Sequence, residues 1–313
     1  MTLNSAYGFP AVFSAPSDAG DGGAGKLKVI SEIRTTILEV RDLPTLPTVA
    51  MEVMRTVSDR NSSMSQLVDV IEMDVSLTGK ILRTANSAYY GVPRKIDNLK
   101  MALVVIGMDE IGNLVTTASI LKMFPARAGE GTFDVTKFWY HCAAVAELTV
   151  GLYDALALTK PGATYVAGLL HDVGRLILFQ YFNEYHQEVE AVIKRKGVPP
   201  HVAEMEVIGV DHGHIGAWLV ERWNLPQEII TAVAQHHIRP PDVPSFSLPV
   251  MIDRANELFY VMENNDEVHL VDYIRNNDEW LKWMDARGGS IPSVAQQLYR
   301  RRERAQRLLE MLR

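Results

Sequence analysis

Five histidines and two aspartates in the second half of the chain have the types and grouping to hold metal. They are His141, the adjacent pair His171-Asp172, His212, the adjacent pair His236-His237, and Asp253. Eight of the nine histidines fall between positions 141 and 237, so the residue type is concentrated where such a site would lie. Neutral imidazole and carboxylate together suit a divalent transition metal, and the carboxylate of a His-Asp pair can bridge two ions. Mixed donors at this density fit one or two ions of iron, manganese, cobalt or nickel better than a tetrahedral zinc.

Helical neighbours at i+3, i+4 and i+7 show which way each histidine faces. From His141 those steps meet Ala144, Val145 and Leu148; from His212 they meet Ile215, Gly216 and Leu219. Both faces are apolar and turn inward. His171 ends the apolar run Val166 to Leu170, and His236-His237 look back on Ile229, Ile230 and Val233. His214 instead shares its side with Trp218, Glu221 and Arg222 and is expected to face outward.

Blander readings exist for each residue. A single inward histidine is more often a satisfied core residue than a ligand. Asp172 and Arg175 stand at i,i+3 and could form an ordinary helix ion pair. His236-His237 could be a polar helix end before Pro240-Pro241, and Asp253 has Asn256 and Glu257 beside it, as a solvated face would. Buried separately, five imidazoles and two carboxylates would each need a partner. One shared metal site satisfies them together, and we favour it.

These residues need helices to carry them, and from Lys26 onward the hydrophobic period is helical almost everywhere. Ile30, Ile33, Ile37 and Leu38 mark a first helix; Ser63 or Ser65 is a candidate N-cap for another; a third runs from Asp74, and the stretch from Lys100 to Phe124 holds at least two more. No run of alternating strands is visible, so the expected class is all-α, with a helical bundle around the histidines packed on an N-terminal helical subdomain. The expected divisions are a flexible tail over 1–25, an N-terminal helical half over 26–125, a metal-site half over 126–275 opening on a Gly-rich joint from Ala126 to Asp134, and C-terminal helices over 276–313. The last helix carries the basic run Arg300 to Arg304, yet places Ala295, Leu298, Ala305, Leu308, Leu309 and Leu312 for packing. An amphipathic docking helix is therefore preferred to a nucleic-acid or membrane segment. Lys80, Arg83 and Ser87 line one helix side near Asn86, Tyr89 and Tyr90. They could bind a phosphate, an acidic peptide or a partner helix, or simply face solvent, with Asn86-Ser87 capping a turn.

Composition narrows the function. A net charge of −7 and a pI near 5.7 disfavour nucleic-acid binding as the main activity, including a helix-turn-helix reading of the segment around Gly91. One cysteine, Cys142, rules out a disulfide framework and fits a reducing compartment. It follows His141, but one helix cannot readily turn both side chains to one ion, so core filling is expected. No apolar stretch reaches the roughly 18 residues of a membrane span, and the N-terminus lacks the charged-then-apolar order of a signal peptide. The expected setting is cytoplasmic.

The segment GLLHDVGR over 168–175 resembles the signature of the HD superfamily of metal-dependent phosphohydrolases. The order His141, His171-Asp172, Asp253 is similar to that superfamily's ligand series, and His212 with the His236-His237 doublet resembles the extra ligands of its HD-GYP branch. The blocks LPTLPTV (43–49), LRTANSAYYG (82–91), ALVVIG (102–107), GVDH (209–212) and WNLP (223–226) resemble the narrower HDOD family, HD-related output domains, over roughly residues 30 to 260. The resemblance implies a bacterial signalling or regulatory module that acts through protein contacts. Many such domains lack several ligands, whereas this chain keeps nearly all of them, which leaves open a binuclear phosphohydrolase acting on a phosphoester or nucleotide. In that case Asp172 and Arg175 would be catalytic and Arg175 or Arg239 would steady a phosphate. The Gly-Tyr-Pro segment of HD-GYP proteins is absent after the doublet, so the resemblance does not extend to cyclic di-GMP hydrolysis. Lys137 stands where a glutamate would support a third metal.

Overall fold

Several helices begin at a polar side chain that accepts from the first unpaired N–H groups. Ser63 forms a capping box with Gln66, and Asp74, Asn98, Asp134 and Asp211 each accept backbone N–H bonds at a helix start. In the computed structural model, residues 22–39, 43–59, 61–125, 133–238, 246–263, 267–287 and 290–312 are described. The expected tail up to residue 21, most of the Gly-rich joint and the segment from Arg239 through Pro244 lie outside them.

The N-terminal helices are α1 (Gly22–Glu39), α2 (Thr48–Ser58), α3 (Met64–Glu72), α4 (Val75–Ala85), α5 (Leu99–Ile106) and α6 (Met108–Met123). The middle of the chain forms α7 (Val135–Ala155), α8 (Thr164–Leu170), α9 (Val173–Tyr181), α10 (Asn183–Lys196), α11 (Pro200–Val207), α12 (His212–Arg222) and α13 (Gln227–Gln235). It ends with α14 (Leu248–Glu263), α15 (Glu267–Arg275), α16 (Asp278–Arg287) and α17 (Ile291–Leu312). No strand occurs among the described residues, and the class is all-α. No single helix among them is long and apolar enough to cross a membrane.

Helix α7 is the axis of the molecule. It is buried on nearly every side and packs on α8, α14 and α17, while α12 packs on α9, α13 and α1. The N-terminal helices pack on one another and meet the middle of the chain through α6 on α8, where Thr117 and Tyr165 share a buried hydroxyl hydrogen bond of 2.9 Å. Helix α1 reaches the far side, where Arg222 donates to the Ile37 carbonyl and Trp223 to that of Pro44. Helix α1 begins at Gly22, inside the stretch expected to be tail, and Leu38 stands more open than the buried Ile33 and Ile37.

Helix α17 docks as its apolar periodicity predicts. Ala295, Leu298, Ala305 and Leu308 are buried against the body. The basic run is largely spent inside the protein: Arg301 pairs with Glu147 and Asp154, Arg304 with Glu110, and Arg302 donates to the Met262 carbonyl. Lys80 donates to the Leu312 carbonyl at 2.7 Å, so the cationic side of α4 has found a partner helix within its own chain. Asn86 braces the following loop by bonding both the N–H and the carbonyl of Ile96.

Two glycines set how closely the central helices approach. A Cβ at Gly168 would stand 2.6 Å from the Ala146 Cα on α7, and one at Gly174 would collide with the His212 carbonyl oxygen at the start of α12. These positions flank His171-Asp172, so small residues there bring α7 and α12 up to the pair. Gly174→Ala should therefore destabilise the protein by about 2 kcal/mol or more, because neither neighbour is a flexible side-chain end. Urea denaturation with unchanged midpoint would remove this account of the packing.

Candidate metal centre

Both histidine-containing doublets lie at helix breaks. His171 is the C-cap of α8 and Asp172 the N-cap of α9, while His236 is the C-cap of α13 with His237 just beyond it. Within an unbroken helix, successive side chains point about 100° apart; at a break, both members of a doublet can turn to one centre. His141 comes from the middle of α7 and His212 from the first position of α12. His141, His171, Asp172, His212 and His236 are buried, and His237 is half-buried.

The ligand atoms converge in two groups that share Asp172. One is His141, His171 and Asp172; the other is Asp172, His212, His236 and His237, and within each the atoms lie within 4.8 Å of one another. Asp172 Oδ1 stands 3.3 Å from His171 Nε2, 3.0 Å from His212 Nε2 and 3.6 Å from His236 Nε2, whereas Oδ2 faces His141 Nε2 at 3.5 Å and Arg175 at 3.1 Å. Donors about 2.0–2.2 Å from one ion in tetrahedral array lie about 3.4 Å apart. These separations are of that size. Asp172 is the carboxylate common to both groups, the place a bridging ligand would take.

Hydrogen bonding fixes the imidazoles for the same purpose. His171 Nδ1 bonds the Gly168 carbonyl and His236 Nδ1 the Val233 carbonyl, each at 2.8 Å, so each ring donates there and keeps its Nε2 lone pair. His212 Nδ1 bonds Glu204 Oε2 at 2.7 Å. Carbonyl and carboxylate partners of this kind orient metal-binding histidines. Buried His236 Nε2 has no hydrogen-bond partner among the described residues, an arrangement that is costly in the absence of an ion. The residues present therefore fit a divalent metal pair.

Electrostatics agrees. Although burial opposes its charge, Asp172 is held well below the usual carboxylate range by His171 and His212. Burial pushes His171 down to about 3, aided by His236 and His141, which keeps it neutral. His212 is buried too, but Glu204 and Asp172 on either side push it up to about 10. Its Nδ1 faces Glu204 and its Nε2 faces Asp172. Cys142 is fully buried with its thiol pushed up by desolvation, as expected of a core residue.

The remaining expected residues divide. Arg175 lies beside the centre, its guanidinium bonded to Asp172. Asp253 is buried on α14, so it is no solvated-face residue, but neither convergent group includes it. His214 is half-buried and bonded through Nδ1 to the capping Asp211, away from both groups. Sequence reading missed Glu204, since nothing in the spacing from 204 to 212 marks a carboxylate as partner to a histidine. It also missed His201, whose ring stacks on His237 at 4.1 Å. A cleft of about 760 Å³ opens on His141 and Arg175, walled by α7, α10, α14 and α17.

His212→Ala should reduce bound metal at least tenfold, while His214→Ala leaves it nearly unchanged; elemental analysis of both variants checks this, and equal losses would contradict the geometry. Metal uptake must also expel the proton held on His212. Because that group is raised to about 10, apparent affinity should climb by about one decade per pH unit between pH 6 and 8. A flat profile in competition titrations would mean that His212 is not displaced by metal.

The HDOD domain family matches residues 43–239, more than half of the chain. A protein of Treponema pallidum, itself uncharacterised, is 28% identical over 203 residues; the match covers 64% of this chain but 39% of that relative's length. Among solved structures, a candidate phosphohydrolase from Shewanella amazonensis superposes with a TM-score of 0.69 at 20% identity, covering 91% of this chain and 98% of that one. A candidate signal transduction protein from Marinobacter aquaeolei gives a TM-score of 0.66 at 21% identity, covering 96% and 68%. At these identities the structural likeness is one of fold. Fold and sequence agree with the motif blocks around His171-Asp172, and the chain belongs to the HDOD domain family.

Proposed function

We propose that this protein is a metal-binding HDOD regulatory module that transmits its state through protein contacts. The observation carrying the reading is the shared carboxylate: Asp172 joins two groups of inward histidine nitrogens that no hydrogen-bonded core would need. When bound, a pair of divalent ions supplies Lewis acidity toward a phosphoryl oxygen. The chain's own residues orient the site. Glu204, the Gly168 carbonyl and the Val233 carbonyl fix the imidazole rings, while Arg175 fixes Asp172 and offers guanidinium donors at the cleft. Iron, manganese, cobalt or nickel suits the donor set, and Asp253 is proposed to join it from α14. The signal-transduction name of a fold relative supports a regulatory role with a protein partner, in the reducing cytoplasm that a lone buried thiol favours.

A second reading has its own support: the open cleft at His141 and the phosphohydrolase name of another relative favour a working enzyme on a small phosphoester. An assay with an aryl phosphate, nucleoside monophosphates and cyclic dinucleotides, with manganese or ferrous iron supplied anaerobically, separates the two. The module reading expects turnover indistinguishable from an Asp172→Ala control. Robust turnover that this substitution abolishes would establish the enzyme instead.

A further inference from the structure

The cleft beside His141 carries cationic donors that the described residues leave partly or wholly unused. Lys137 stands four residues before His141 on α7, so the two side chains leave one helix face about 6 Å apart. It is exposed on the cleft wall, and its ammonium makes no hydrogen bond or ion pair with any described residue. Arg175, on the same wall, spends one N–H on Asp172 and has donors to spare. The other cation on the wall is committed, since Arg302 ties α17 to the Tyr140 hydroxyl and the Met262 carbonyl.

The carboxylates on that wall limit what can enter. Asp134 caps α7 and Glu310 accepts from Gln306, but Glu190 and Glu263 also line the cleft. Their charge opposes a lone anion held only by long-range attraction. An anion gains here by touching donors directly, through charge-assisted bonds. Lys137 stands one helical turn from His141, and its long flexible side chain can reach a second phosphate linked to one held beside His141. The cleft volume falls within the usual range for a small-molecule site, about 300–1,000 Å³, and exceeds what inorganic diphosphate needs. Phe138, Tyr140, Phe259 and Tyr260 supply aromatic wall for a ring-bearing remainder, with the Phe259 ring 4.7 Å from that of His141.

We propose that Lys137 is a specificity-determining residue for an organic diphosphate, such as a nucleoside diphosphate, one phosphate resting at the metal centre beside His141 and the next on the Lys137 ammonium. The inference rests on the metal-holding reading of that centre. It assigns the site a ligand whether the protein responds to that ligand or consumes it.

The test uses manganese-loaded full-length protein and two probes that differ by one linked phosphate, AMP and the non-hydrolysable α,β-methylene-ADP. Calorimetric titration should show the wild type preferring the diphosphate by about tenfold or more. Lys137→Ala should abolish the preference while leaving AMP affinity within about twofold, and Lys137→Arg should restore most of it. Because Lys137 is exposed and has no partner among the described residues, these variants keep the fold, which a melting curve checks. An unchanged preference in Lys137→Ala, or an equal loss for both probes, overturns the assignment; so does a metal-loaded wild type that binds neither probe. Manganese content is measured on every sample. A protein that retains no manganese brings down the metal reading and the inference with it, whereas retained manganese with an unaltered preference brings down the inference alone.

Discussion

A carboxylate buried at the meeting point of several helices is the interaction on which this molecule turns. Asp172 is almost sealed from solvent, and a charged group in that position costs several kcal/mol unless it is paired and hydrogen-bonded. The fold answers by surrounding it with imidazole nitrogens from His141, His171, His212 and His236 and with the guanidinium of Arg175. A metal pair between these groups would satisfy the carboxylate and the histidine lone pairs together, including His236 Nε2, which nothing else described satisfies.

The local sequence around Asp172 follows from that requirement. Gly168 and Gly174 lie four residues before and two after it, and each admits a neighbouring helix that a methyl group would push away. Through these approaches His141 on α7 and the start of α12 reach the same point. Glu204 then carries the constraint outward, since its carboxylate, also buried, holds His212 through both the ring and the backbone N–H. A candidate ligand here is thus fixed by a residue outside both convergent groups.

The C-terminal helix extends the same logic to the surface. Residues beyond 239 lie outside the family match, yet α14 and α17 build one side of the cleft at His141. Helix α17 is anchored by Arg301 on buried Glu147, by Arg304 on Glu110 and by Lys80 on the Leu312 carbonyl. These pairs show how much of a run of four arginines in five residues an acidic protein can use for its own packing. They hold this part of the cleft wall in place although it lies beyond the residues that the family matches.

The all-α class, the choice of Ser63 or Ser65 as a cap, the docking face of α17 and the inward turn of His141 and His212 were legible in sequence, because each depends on spacing along one helix. The separation of His212 from His214 followed for the same reason, two steps along a helix being 200° around it. The pairing of ligands into two groups was not legible. It depends on where α8 breaks into α9 and where α13 ends, since only at those breaks can both members of a doublet turn to one centre. Glu204 and His201 were invisible because their partners are reached through packing between α11, α12 and α13 rather than along any one period. Asp253 was placed inside by its helix but left outside both groups, for burial is set by one helix face while convergence needs the distance between two.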